Sequence, residues 1–282
     1  MALMQVTFMS KSLMRNVPMQ VLLPVDKLPM PGQPEYDGKP LKTLYLLHGI
    51  FGSCTSWLAE SRIKRWAEKK NLAVVMPSGD NGFYVDQPLS YNLHGEFVGK
   101  ELVEMSRKMF PLSHKREDTF IAGLSMGGFG ALRNGLKYHD TFSHIAAFSS
   151  ALVLEQAVDL TYEEPHITGN RGYFESCFGN IDDTLKSDKN PKELIRMLKE
   201  RKARNPDTRI PKIYLACGTE DPLIKNNRDF RDFLKKEAIP CTYVEGPGIH
   251  DWEFWDTYIK KALDWLPLND ATAGVDDGNV GA

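Results

Sequence analysis

Apolar residues in this 282-residue chain gather into short unbroken runs separated by amphipathic stretches. LKTLYLLHG, LAVVMPSG, DTFIAGLS, HIAAFSSA and KIYLACGTED are such runs, and CTYVEGPGIHD is another. Runs of this length bounded by Gly, Pro and polar residues predict strands buried on both faces. The stretches between them carry helical spacing. Residues 56–70 bring Trp57, Ile63, Trp66 and Ala67 to one face, and residues around 95–110 do the same with Val98, Leu102, Met105 and Met109. Further helices are predicted near 191–203, near 223–237 and over about 251–266, the last with Trp252, Phe254, Trp255, Tyr258, Ile259 and Trp265. Strands that alternate with helices predict an α/β fold, a mainly parallel sheet with helices on both faces.

Two regions depart from that alternation. QVTFMS and PMQVLLP flank a polar turn near Lys11 to Asn16, which predicts an N-terminal antiparallel hairpin at one edge of the sheet. Residues 151–190 contain no clear strand, yet they fall between two sheet strands. Such an insertion lies above the carboxyl ends of the strands, where ligands bind in open α/β sheets. It reads equally as a small cap or as a packed surface excursion. The Pro- and Gly-rich segment from Asp26 to Pro40 is a predicted loop. Residues 268–282 are mostly small, polar and acidic and are expected to be disordered, which leaves 1–267 as one domain.

Composition narrows the function classes. Hydrophobic residues make up 42% and charged residues 26%, the balance of an ordinary globular protein. Net charge is −2 and no basic stripe is visible, which argues against a nucleic-acid partner. No apolar run approaches the roughly 20 residues that span a bilayer, so no membrane partner is expected. MALMQVTFMSKSLMRN lacks the apolar core and small-residue cleavage site of a secretory signal. Cys54, Cys177, Cys217 and Cys241 are widely spread and form no C-x-x-C pair. Neither a metal site nor a disulfide framework is predicted, and a reduced cytoplasmic protein is expected.

The chemistry concentrates at Gly123-Leu-Ser125-Met-Gly127-Gly. A strand precedes it and a helix follows, which is the setting of the G-x-S-x-G nucleophile elbow. The turn is sharp, its neighbours must be small, and the Ser125 hydroxyl projects above the sheet edge. The N–H of Met126 then points where an oxyanion would form. A serine hydroxyl needs a base within reach, and the base needs an orienting acid. The chain order for such an elbow is Ser, then Asp or Glu, then His. His139 and His144 come too early, and His166 has no acid-bearing strand before it. His250 follows the last strand in GPGIHDWEFW and is the predicted base. Glu220 and Asp221 both end the preceding strand. Asp221 is preferred because it leads the Asp-Pro turn, whereas Glu220 is expected to face solvent. An N-cap role for Asp221 is the competing reading. The second oxyanion donor is expected after LLHG, from the N–H of Ile50, with Phe51 as the alternative. His48 is expected to brace that loop.

HG-I-F-G, G-L-S-M-G-G, G-T-E-D and G-I-H-D-W, in that order, resemble the putative-esterase family of α/β-hydrolases. That family includes tributyrin-type esterases, S-formylglutathione hydrolases, feruloyl and acetylxylan esterases, and mycolyltransferases. The resemblance runs from residue 1 to about 267. The opening hairpin, Trp252, and Ser53 to Trp57 after HG are most similar to the tributyrin esterase branch. It implies an α/β-hydrolase fold and hydrolysis of short-chain acyl esters through an acyl-enzyme. Ser125 would be nucleophile, Asp221 acid and His250 base, with Ile50 and Met126 forming the oxyanion hole. No cofactor or metal is implied, the partner is a small-molecule ester, and a homo-oligomer is common in the branch. Trp57 and Tyr84 are candidate substrate-binding residues. The alternative is an esterase acting on carbohydrate-linked acetyl or feruloyl groups. HGIFGSCTSW lacks the longer Cys- and Thr-rich segment usual in S-formylglutathione hydrolases. A non-catalytic binding protein on the same fold would be expected to lack a triad member, and all three are present.

Overall fold

The computed structural model describes residues 1–27 and 38–268. The tail beyond 268 and most of the predicted 26–40 loop lie outside the described residues. Eight strands form one sheet: β1 (Ala2–Ser10), β2 (Arg15–Leu23), β3 (Thr43–Leu47), β4 (Ala73–Pro77), β5 (Thr119–Leu124), β6 (His144–Phe148), β7 (Lys212–Gly218) and β8 (Cys241–Gly246). Their spatial order is β1-β2-β4-β3-β5-β6-β7-β8. The hairpin β1–β2 pairs antiparallel, and β2 joins β4 antiparallel, as predicted. Every pairing from β4 to β8 is parallel. The fold is that of an α/β-hydrolase.

Each central strand is buried along its whole length, so its side chains alternate between two apolar layers. Tyr45, Leu47, Ile121, Ile145 and Leu215 pack under Phe129, Leu132 and Leu136 of the helix Met126–Lys137. Leu44, Leu46, Phe120, Leu124 and Phe148 pack on Trp57, Ile63 and the C-terminal helix Trp252–Trp265. Register then decides where the loops emerge. Leu47 pairs with Gly123 and Gly123 with Ala147, while Phe148 pairs with Ala216 and Gly218 with Gly246. The residues that follow β3, β5, β6, β7 and β8 therefore leave the sheet at one edge.

Three local expectations change. The 56–70 helix is two short helices, Ser56–Glu60 and Ile63–Glu68. Ser61 between them is extended, and the Arg62 N–H donates to Asp256 Oδ1 of the C-terminal helix at 2.7 Å. That tertiary bond takes an amide from the helix ladder. The 95–110 helix contains a π-helical turn over Phe97–Glu101 before Leu102–Met109. The wider turn rotates everything after it. Val98 and Leu102 stay buried, but Met109 is 40% exposed instead of packed. The 151–190 insertion is mixed. Its helix Arg171–Phe178 is packed through Phe174, Cys177 and Phe178, whereas residues 161–166 are exposed. Among the described residues, no helix is long and apolar enough to cross a membrane and no three His, Cys, Asp or Glu side chains could hold a metal ion. All four cysteines are free thiols.

Candidate active site

Ser125 joins β5 to the helix Met126–Lys137 with φ 53° and ψ −118°. L-residues disfavour this region, so the surroundings must hold it. Its N–H donates to Phe148 O at 2.8 Å, and its carbonyl accepts from Phe129 N–H and Ala151 N–H, both at 3.0 Å. The flanking glycines are required by contact. A Cβ on Gly123 would fall 2.3 Å from Gly127 O, and one on Gly127 would fall 2.5 Å from His48 O.

His250 stands after β8 on a loop whose Gly248 has φ 145°. Its Nε2 lies 3.0 Å from Ser125 Oγ and its Nδ1 2.9 Å from Asp221 Oδ2. The ring meets Trp255 edge-on at 4.9 Å. Asp221 is 1% exposed, and its Oδ1 accepts from Leu223 N–H at 2.8 Å. Burial pushes this carboxyl up, but hydrogen bonds from His250 and Ser149, the His250 charge and the Leu223 N–H outweigh it. The carboxyl is held below its ordinary value. The three side chains singled out from sequence are thus one hydrogen-bonded row. The helix that follows Asp221 begins at Ile224 with Leu223 at its cap, so Asp221 lies ahead of the N-cap position.

Supporting residues around this row left no trace in the sequence pattern. Ser149, with φ 46°, accepts from Trp255 Nε1 at 3.1 Å and so links the C-terminal helix to the acid. Glu220 was expected to face solvent. It is exposed, but Oε2 accepts from Gly248 N–H at 2.7 Å and the Glu220 N–H donates to Gly248 O at 3.1 Å. The rejected carboxylate therefore pins the histidine loop.

The turn after β3 approaches Ser125 from the other side. A Cβ on Gly49 would lie 3.4 Å from Ser125 Cβ. His48 Nδ1 donates to Gly49 O at 2.7 Å, and Nε2 accepts from Gly79 N–H at 2.8 Å, which requires a neutral ring. Burial lowers its pKa in the same sense. His48 thus braces the turn. The Phe51 N–H is used by Asn81 Oδ1 at 2.8 Å, whereas the N–H groups of Ile50 and Met126 have no acceptor among the described residues.

Trp57 and Tyr84 need correction as substrate-binding candidates. Trp57 is 1% exposed, donates Nε1 to Leu47 O at 3.0 Å and packs between Phe148 and Trp252. Tyr84 is fully buried, and its hydroxyl donates to His48 O at 3.0 Å. Both are part of the core under the site and present no surface to a ligand. His144 opens β6, at the amino end of the sheet and away from the site, and His166 is exposed in the insertion.

A hydroxyl bonded to an imidazole whose other nitrogen faces a buried carboxylate can give up its proton as it attacks an electrophile. Free N–H groups beside it can stabilise a developing oxyanion.

The chain matches the model of the family described as "Putative esterase" over residues 10–266. It is 44% identical over 266 residues to a protein named acetyl esterase from Caldicellulosiruptor saccharolyticus, covering 94% of this chain and 98% of that one. Among solved structures it is similar to a substrate-bound Staphylococcus aureus fluorophosphonate-binding serine hydrolase. The TM-score is 0.78 and the identity 31%, over 94% of this chain and 98% of that one. It is also similar to an S-formylglutathione hydrolase from Staphylococcus aureus, with TM-score 0.76 and 30% identity over 94% and 98% of the two chains. The chain belongs to the putative esterase family and is a carboxylic ester hydrolase.

Proposed function

We propose that this member of the putative esterase family is a serine esterase that removes acetyl and other short acyl groups from alcohols through an acyl-Ser125 intermediate. The observation that carries the reading is the row Ser125 Oγ–His250 Nε2 at 3.0 Å and His250 Nδ1–Asp221 Oδ2 at 2.9 Å. The relative named acetyl esterase supports the short acyl group.

Ser125 Oγ attacks the ester carbonyl as its proton passes to His250 Nε2. Asp221 remains ionised and stabilises the imidazolium. The carbonyl oxygen becomes an oxyanion facing the N–H groups of Ile50 and Met126. Collapse breaks the C–O bond, and the alcohol leaves with the proton from His250. Water then attacks the acyl carbon as it loses a proton to His250, the Oγ–acyl bond breaks, and His250 returns the proton to Ser125 Oγ as the acid leaves.

The test is a substrate panel on purified protein, with p-nitrophenyl esters from acetate to decanoate, acetylated xylan, methyl ferulate and S-formylglutathione. The expected result is the highest kcat/KM on acetate and neighbouring short esters, abolished by Ser125→Ala. A best substrate of methyl ferulate or S-formylglutathione would overturn the acyl preference. Retained activity in Ser125→Ala would overturn the nucleophile.

A further inference from the structure

We infer that Asn81 is a positioning residue for ester hydrolysis: its side chain sets the 49–52 turn so that the Ile50 N–H is left for the oxyanion, and Tyr173 of the 151–190 insertion clamps it in place. The inference rests on the reading of Ser125 and the Ile50 N–H given above.

The turn is under conformational tension. Phe51 has φ 66° and is 70% exposed, so no burial compensates a bulky residue in the left-handed region. The Gly52 N–H closes the turn onto Gly49 O at 3.2 Å. The hydrogen bond that holds Phe51 itself runs from its N–H to Asn81 Oδ1, at 2.8 Å. Released from Asn81, the Ile50–Phe51 peptide is free to rotate, and a second N–H would compete with that of Ile50. His48, Gly79 and Tyr84 fasten the strand end before the turn, and Asn81 fastens the turn.

Asn81 is held in turn from the insertion. Its carbonyl accepts from Tyr173 O–H at 2.8 Å and from Cys177 S–H at 3.4 Å. Burial pushes the Cys177 thiol up to about 11 and raises the Tyr173 phenol as well, so both keep their protons at neutral pH. Both residues lie on the helix Arg171–Phe178, and Phe178 fixes that helix against Phe83 at 5.0 Å and against Phe129 of the elbow helix at 5.5 Å. Asn81 also sits in a segment where Asp80, Phe83 and Tyr84 all have positive φ, a shape that isolated chain does not hold. The insertion therefore reaches the reaction through a chain of hydrogen bonds, Tyr173 to Asn81 to Phe51.

Asn81→Ala and Tyr173→Phe test this, with kcat expressed per site counted by the p-nitrophenolate burst. Loss of a correctly placed oxyanion donor costs about 10²–10³ in kcat. Partial misplacement in Asn81→Ala should lower kcat by about 10- to 100-fold. Tyr173→Phe should lower it by roughly 3-fold, as expected for weakening one support of a positioned group. KM should change little in either variant. The acid limb of kcat/KM should not move, because Ser125, His250 and Asp221 are untouched. Unchanged kcat per site in Asn81→Ala, a loss confined to KM, or a displaced acid limb would each overturn the inference. If Asn81→Ala fails to fold, Tyr173→Phe decides by the same readouts. Activity surviving Ser125→Ala would overturn the underlying reading. A dead Ser125→Ala beside a fully active Asn81→Ala would overturn only the role of Asn81.

Discussion

Two loops reach Ser125 from opposite sides, and they are held by different means. The histidine loop after β8 is fastened near the surface by backbone bonds. Thr219 N–H donates to Gly246 O at 2.9 Å, Glu220 N–H to Gly248 O at 3.1 Å, and the Glu220 carboxylate takes the Gly248 N–H. Ile249 on this loop is 54% exposed. The strand end that leads into the turn after β3 is fastened from below by buried side chains. His48 is 1% exposed and Tyr84 is fully buried, and each bonds backbone that no water reaches. A surface bond competes with water and is replaceable. A buried one leaves an unsatisfied polar group when cut. Activity and stability should therefore separate on the histidine side and fall together on the turn side.

The largest test isolates chemistry from both loops. Ser125→Ala removes the proposed nucleophile and should cost about 10⁵-fold or more in kcat. It should also relieve the backbone strain only slightly, so the unfolding midpoint should stay close to the parent. Labelling by a fluorophosphonate should disappear with it, and labelling at another serine would show that the elbow is not the reactive turn.

Asp221→Asn comes next and is the cleanest probe of the histidine side. It should lose about 10⁴-fold in kcat through the wrong His250 tautomer. Its Oδ1 can still accept from Leu223 N–H, so stability should hold. Loss of stability with activity kept would make Asp221 a structural cap. pH sharpens this point. A carboxyl with a lowered folded-state pKa contributes fully above its unfolded value, here 3.8, and loses that contribution as pH falls through the lower folded value. Between about pH 7 and pH 5 Asp221 thus stays ionised. Any fall of kcat/KM on acidification over this range should therefore be reversible and leave the fold intact. Near-UV circular dichroism should stay unchanged on account of Asp221.

Gly79→Ala probes the turn side. An added Cβ would fall 1.9 Å from the Tyr84 ring, whose hydroxyl holds His48. Overpacking of this kind costs about 1–3 kcal/mol. Activity per folded molecule should fall together with the unfolding midpoint. An unstable but fully active variant, or the reverse, would break the comparison.

The smallest effect is expected for Glu220→Gln. The amide oxygen of Gln still accepts from Gly248 N–H, and the group it replaces is exposed. kcat should stay within about 3-fold of the parent, in line with surface substitutions generally. A loss as large as that of Asp221→Asn would mean that the carboxylates have exchanged roles.

The predicted elements and the three aligned side chains were legible because each rests on local or ordered information. A strand buried on both faces has to be apolar without interruption, and β3 to β7 read that way directly. Ser125 was legible because Gly123 and Gly127 are demanded by contacts two residues away, and His250 because it follows the last strand. The supporting bonds were not legible. Asn81 meets Phe51 across 30 positions, Glu220 meets Gly248 across 28, and Trp255 meets Ser149 across 106. No periodicity or motif records such pairs. The same gap explains Trp57 and Tyr84. An aromatic beside a motif can wall a pocket or fill a core, and its identity is the same in both.

Sequence alone thus determined which backbone segments form the sheet and which side chains stand at its carboxyl edge, since apolar runs and glycine spacing act within a few residues. Tertiary structure decided how the two loops are held, which aromatics are core and where Glu220 points. Those outcomes depend on which side chains meet once the sheet has brought distant segments within hydrogen-bond distance.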